Sequence, residues 1–213
     1  MSKKKQQLQV RGGFVIIPTM ENKIEFVSLI TGPDKLPRDD RPEVVLAGRS
    51  NAGKSSLLNA LGGSRQLAKV SSVPGKTRFP VLFLVDDSFY ITDLPGYGFV
   101  AGSPDKHREY DLLANSYLTT GRDLALILLV MDIRQAPAKN DRIMLEWLEY
   151  SGYRYAYVLN KADKLSRAHS QRRLQEFRSC LPESQRGIPT FIVSTTKGDG
   201  IVALREYINS LIE

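Results

Sequence analysis

Eight consecutive residues, Gly48-Arg49-Ser50-Asn51-Ala52-Gly53-Lys54-Ser55, combine types suited to phosphate chemistry. Gly48 and Gly53 let a backbone wrap closely round an anion, and the successive N–H groups of such a loop form a concave nest. A helix starting at Lys54 would add the positive end of its dipole. Lys54 could then reach the β- and γ-phosphates of a nucleoside triphosphate, and the Ser55 hydroxyl could ligate magnesium. What separates this reading from a glycine-rich turn with a solvated lysine is a strand before the loop and a helix after it.

Asn160-Lys161-Ala162-Asp163 is a second constellation. The Asp163 carboxylate can accept from N1–H and N2–H₂ of guanine, two donors that adenine lacks there. A site built to pair such groups rejects the analogue without them by roughly 10⁴-fold. The Lys161 stem would pack over the base, and Asn160 would brace the loop. A helix-capping Asp is the alternative for these four residues alone. Ser194-Thr195-Thr196, a common turn by itself, could offer backbone N–H groups to guanine O6.

Between these two groups lies Asp93-Leu94-Pro95-Gly96. Asp93 could hold magnesium through a water, and the Gly96 N–H could sense a γ-phosphate. Thr77, in Pro74-Gly75-Lys76-Thr77, is the candidate threonine for sensing magnesium and γ-phosphate together. Lys54, Thr77 and Gly96 are therefore the residues expected to act on the reacting phosphate. Tyr97 follows Gly96 where many GTPases carry the glutamine that orients water. Slow intrinsic hydrolysis is expected, accelerated by a partner or an ion, and glycines at 96, 98 and 102 suggest a mobile loop.

The elements that must carry these groups alternate. Val44–Ala47 reads as a buried strand, Lys54–Leu61 as a helix burying Leu57, Leu58 and Leu61, and Val81–Val85 with Phe89–Thr92 as a hairpin. A helix over Asp105–Thr119, an apolar strand over Leu124–Met131 and a helix over Asn140–Tyr150 follow, the last turning Ile143, Met144, Trp147 and Leu148 inward. Tyr155–Leu159 is a strand, His169–Leu181 a helix, Thr190–Val193 a strand and Gly200–Ile212 a closing helix. Wholly apolar strands alternating with helices predict an α/β fold: a mainly parallel sheet covered by helices on both faces, with one antiparallel hairpin at an edge. Residues 1–23 read as a basic arm, a candidate for disorder, and 24–213 as one domain.

The chain has 213 residues, enough for a sizeable core, with 42% hydrophobic and 25% charged residues. That excludes a disordered chain or a disulfide scaffold. The longest apolar run is eight residues, against roughly 20 for a bilayer span, and Phe14–Ile17 is too short for a signal peptide. With one cysteine, Cys180, a reducing cytoplasmic setting is expected. The net charge of +7 is uneven: residues 1–23, 62–80 and 164–186 carry +4 each and everything else −5. A polyanionic partner is expected, a merely solvated basic surface being the alternative.

The ordered set GRSNAGKSS, PGKT, DLPGYG, MDIR, NKAD and VST resembles the bacterial EngB (YsxC/YihA) family of GTPases, from about Glu25 to the C-terminus. The resemblance implies a Ras-like P-loop fold. It also implies GTP contacts at Gly48, Arg49, Ser50, Asn51, Ala52, Gly53, Lys54 and Ser55, and at Gly75, Lys76, Thr77, Arg78 and Phe79. Further contacts are implied at Asp93, Leu94, Pro95 and Gly96, at Asn160, Lys161, Ala162 and Asp163, and at Val193, Ser194 and Thr195. Ser55 and Thr77 would be the magnesium ligands. Several related GTPases with an asparagine at the Asn51 position bind potassium, which makes K⁺ a candidate second cation. Family members act on the large ribosomal subunit and are linked to cell division and septation, so its rRNA and protein are the expected partners of a monomer. Val73, Arg78 and Val81 depart from the usual residues. Met131-Asp132-Ile133-Arg134 receives no chemical role and reads as a buried strand end with a surface arginine. The resulting expectation is a GTP-driven assembly switch. A GTPase coupled to a protein partner in RNA modification or signalling is the alternative, a membrane-signalling GTPase lacks its anchors, and Asn160 to Asp163 argues against an ATPase.

Overall fold

The computed structural model describes residues 8–10, 13–15, 23–63, 79–97, 117–118 and 122–212. Gly75, Lys76, Thr77 and Arg78, the departure at Val73, the glycines at 98 and 102 and nearly all of the helix expected at Asp105–Thr119 lie outside them. Within the basic arm, β1 (Leu8–Val10) and β2 (Gly13–Val15) pair antiparallel.

The main sheet has seven strands: β3 (Ile24–Leu29), β4 (Glu43–Gly48), β5 (Val81–Val85), β6 (Phe89–Asp93), β7 (Leu124–Asp132), β8 (Tyr155–Asn160) and β9 (Thr190–Ile192). Their spatial order is β3-β5-β6-β4-β7-β8-β9. From β6 to β9 every pairing is parallel. The hairpin β5–β6 is antiparallel, as expected, but it does not form the edge. β3 lies outside it, antiparallel to β5, with a register shift between Phe26 and Ser28. That shift breaks the period-two alternation by which a strand is read from sequence.

Successive side chains of a strand point to opposite faces, and the core divides accordingly. Val44 and Leu46 of β4 pack on one face with Leu57, Leu58 and Leu61 of α1 (Lys54–Leu61) and Ile201, Leu204 and Ile208 of α5 (Ile201–Ile212). Val45 and Ala47 pack on the other with Leu145 and Leu148 of α2 (Lys139–Ser151) and Phe177 of α3 (Arg167–Ser179). A short α4 (Glu183–Arg186), not expected from sequence, precedes β9. Ile143 is exposed rather than inward, and Leu145 takes its place in the core; two residues along a helix are about 200° round its axis.

β4 lies between β6 and β7: from β4 the chain runs to β5 and β6 on one side, and it then crosses to β7 and β8 on the other. The carboxyl ends of parallel strands at such a switch point open the crevice where α/β sheets bind ligands. Leu46 pairs with Asp93, Gly48 with Val130 and Asp132 with Asn160, which brings four strand ends to one rim. Among the described residues no helix is long and apolar enough to cross a membrane.

Candidate nucleotide-binding site

The loop 49–53 joins β4 to α1 in the strand–loop–helix setting that the phosphate reading requires. Gly48 and Gly53 have φ of 149° and 99°, values that favour glycine, and Asn51 adopts φ 66°. A Cβ on Gly48 would collide with the Val130 carbonyl oxygen of β7, and one on Gly53 with the Asn160 side-chain amide. Lys54 is buried at the start of α1, and its Nζ donates to the carbonyls of Gly48 (3.0 Å) and Arg49 (3.3 Å). Burial pulls the Lys54 ammonium below its usual pKa range, opposed by Asp93. Burial likewise pushes the Asp93 carboxyl up, opposed by Lys54 and by the Ser55 hydroxyl, which donates to Asp93 Oδ2 at 2.7 Å.

The guanine box is bonded directly to this loop. Asn160, buried at the end of β8, donates from Nδ2 to Ala52 O (3.1 Å) and accepts the Lys161 N–H at Oδ1 (2.7 Å). Lys161 adopts φ 68° and donates from Nζ to Asn51 O at 2.6 Å. Asp163 lies in the turn Ala162–Lys164, where its Oδ1 accepts from Ser194 Oγ (3.0 Å) and its Oδ2 is 3.4 Å from Lys164 Nζ. Burial acts to raise the Asp163 carboxyl, but those two hydrogen-bond donors hold it below the usual range, so it remains an acceptor. The Ala162 N–H donates to Val193 O (3.1 Å), fixing the box against the end of β9. Of Ser194, Thr195 and Thr196, expected to offer N–H groups to the base, Ser194 donates instead to Asp199 O, and Val193, an implied contact, donates to Leu159 O, both at 2.9 Å. Thr195 and Thr196 are the remaining candidates, and of these Thr195 is the one the family resemblance implies.

The segment after β6 lies across the phosphate loop. Leu94 donates to Leu46 O (3.1 Å), and Ser50 donates to Tyr97 O (3.0 Å). Gly96 packs so closely that a Cβ would strike the Ser50 backbone. The Tyr97 hydroxyl donates to Asp141 Oδ1 at 2.9 Å. Asp141 is buried near the start of α2 and also accepts the Ala138 N–H at 2.8 Å. Burial, reinforced by Asp141, keeps the Tyr97 phenol neutral. Thr92 is structural: it is fully buried and donates to Glu43 Oε1 (2.7 Å). Phe79 lies half-buried just ahead of β5.

Sequence reasoning missed Asp132, Arg134, Gln135 and Asp141. Together with Arg49 to Ala52, Tyr97 and Lys161, they line a cavity of about 260 Å³ beside the loop. Arg49 Nη1 donates across it to Gln135 Oε1 (3.1 Å). The available signal was an acidic residue, Asp132, closing a long apolar run just as Asn160 closes another.

The family described as 50S ribosome-binding GTPase matches residues 43–161. A protein of Bdellovibrio bacteriovorus named "Probable GTP-binding protein EngB" is 39% identical over 197 residues, covering 92% of this chain and 96% of that one. The chain belongs to the EngB family of GTPases. The EngB protein of Chlorobaculum tepidum is 40% identical over 167 residues, 78% of this chain and 84% of its own. Among solved structures, a crystal structure of an EngB protein superposes with a TM-score of 0.65 at 25% identity, covering 80% of this chain and 98% of the other. Era, crystallised with MgGDPNP and a fragment of 16S ribosomal RNA, shares the fold at a TM-score of 0.64 and 22% identity, over 82% of this chain and 58% of Era. As a member of the EngB family the protein is a P-loop GTPase that binds guanine nucleotides and hydrolyses GTP.

GTPases of this fold use Mg²⁺, and the residues present suit it. The Ser55 hydroxyl and the Asp93 carboxylate are hard oxygen donors meeting at 2.7 Å. Among the described residues no group of three or more His, Cys, Asp or Glu could hold a metal alone. An ion here would therefore take most of its shell from phosphate and water, the usual habit of Mg²⁺.

Proposed function

We propose that this EngB-family GTPase is a nucleotide-dependent switch in assembly of the large ribosomal subunit, acting as a monomer in the cytoplasm. The observation that carries the reading is the match of residues 43–161 to the 50S ribosome-binding GTPases. Three segments of net charge +4 in the sequence supply the complementary chemistry for ribosomal RNA, which is polyanionic.

In this reading the N–H groups of 48–55 hold the phosphates, and Lys54 neutralises charge between the β- and γ-positions. Ser55 and Thr77 would hold Mg²⁺, with Asp93 reaching it through water, and the bound ion would supply positive charge beside the phosphates. The Gly96 N–H meets the γ-phosphate. Asp163 selects guanine, the Lys161 stem covers the base and Thr195 N–H meets O6. Hydrolysis is slow because Tyr97, whose hydroxyl donates to Asp141, stands where many GTPases carry the glutamine that orients water. The same contact supports a switch. Ser50 is bonded to Tyr97, and Tyr97 to α2, so a change at the phosphates has a short mechanical route to that helix.

Potassium beside Asn51 would supply positive charge at the phosphates. Hydrolysis in KCl is then expected to exceed that in NaCl by about tenfold or more, and equal rates would remove the cation from the account. The ribosomal reading is tested by depleting the protein from cells and resolving ribosomal particles on sucrose gradients. Accumulation of incomplete large subunits, with septation defects following later, is the expected result. A normal particle profile would overturn it and point to a protein partner in RNA modification or signalling.

A further inference from the structure

We infer that Asp132, held by Arg134, is a positioning residue for the guanine site: it fixes the Lys161 side chain against the phosphate loop. The inference rests on the guanine-site reading above and assigns the Met131-Asp132-Ile133-Arg134 segment a part in it.

Asp132 ends β7 directly opposite Asn160 of β8, and the Ile133 N–H continues the pairing to Asn160 O (3.0 Å). Its carboxylate has little exposure and carries four interactions. Oδ1 accepts the Arg134 backbone N–H (3.1 Å) and Arg134 Nε (2.9 Å). Oδ2 accepts Arg134 Nη2 (2.7 Å) and lies 3.0 Å from Lys161 Nζ. The forked guanidinium pair fixes the plane of the carboxylate as a point charge could not. That plane in turn determines where the Lys161 ammonium can sit. With Oδ2 on one side and Asn51 O at 2.6 Å on the other, Lys161 Nζ bridges the guanine box to the phosphate loop.

The consequence is selective. A lysine on its flexible stem has many rotamers, and only one of them places the methylenes as a platform beside a base. Without the Asp132 anchor the ammonium would keep only Asn51 O as a partner and the platform would loosen, while β7 and β8 kept their backbone pairing. Burial acts to raise the Asp132 carboxyl, yet Arg134 and Lys161 more than offset this and hold it well below the usual carboxylate range, so the anchor stays charged at any physiological pH.

The test is a double-mutant cycle on the full-length chain, read as the dissociation constant and release rate of GDP, with melting temperature as the structural control. Asp132→Asn should weaken GDP binding by about tenfold, the scale of a lost charge-assisted contact, and Lys161→Met should do the same. The double variant should be no worse than either single one, because Asp132 acts through Lys161. Arg134→Ala, at an exposed side chain, should speed GDP release about threefold with an unchanged melting temperature; it decides the matter if Asp132→Asn folds poorly. Additive losses, or affinity within about twofold of the parent in Asp132→Asn, would overturn the inference. Asp163→Ala separates the two layers. If it leaves the preference for GDP over ADP intact, the guanine-site reading itself is wrong. If it abolishes that preference while Asp132→Asn has no effect, only the positioning role fails.

Discussion

Tyr97 stands where many GTPases hold the glutamine that orients the attacking water, and its hydroxyl is engaged by Asp141 instead. Tyr97→Phe should therefore leave single-turnover hydrolysis within about twofold of the parent, while removing one hydrogen bond worth about 1 kcal/mol. The melting temperature should fall by roughly 2–4 °C for a domain of this size. A tenfold loss of rate would show that the hydroxyl works at the phosphates. The residues of the phosphate loop, Asp93 to Gly96 and Asn160 to Asp163 were legible in the sequence because each motif's chemistry is fixed by covalent spacing. Asp132, Arg134 and Asp141 were not. Their partners are set by the pairing of β7 with β8 and by a contact between residues 44 apart in the chain, neither of which a local pattern encodes. Val193 and Ser194 show the converse: the motif was read correctly as a strand end, but the fold draws their N–H groups into its own bonds.

At the scale of elements, the apolar stretches of β4, β7 and β8 and the periodic helices could be read because burial on both faces leaves an unbroken hydrophobic run. β3 could not. It is an edge strand with Glu25, Phe26, Val27 and Leu29 exposed, and its register shift removes the alternation. Equally hidden was the charge at the far end of β4 from the phosphate loop. Glu43 is completely buried, and its carboxylate meets Arg122 Nε, Thr92 Oγ1 and the Tyr117 hydroxyl, each at 2.7 Å. Arg122 Nη1 also donates to Pro37 O (3.0 Å), so this cluster ties β4 and β6 to the chain ahead of β4 and to the turn entering β7. Removing one partner of a buried pair leaves the other uncompensated. Glu43→Ala should cost about 3–5 kcal/mol in urea unfolding, with guanine selectivity retained in the fraction that stays folded. A cost below about 1 kcal/mol would mean the pair is solvated and incidental.

For the whole molecule, the sheet gathers the phosphate loop, Asp93, Asp132 and Asn160 on one rim, and the sequence as a whole carries a net charge of +7. Segment 62–80 runs from the end of α1 to the start of β5 and contains Thr77, so one stretch of chain carries both the threonine proposed to sense the nucleotide and an excess of positive charge. Coupling between the two requires GTP and GDP forms to differ in affinity for the partner; a ligand equally tight to both states shifts nothing. Contacts to RNA phosphates also release counterions, so the preference should coexist with a steep loss of binding as salt rises. Co-sedimentation with purified large and small ribosomal subunits, in GDP or a non-hydrolysable GTP analogue and at two salt concentrations, reads both properties at once. The account predicts binding to the large subunit with the analogue, little with GDP, and weakening at the higher salt. Equal binding in the two nucleotide states, or none in either, would contradict it.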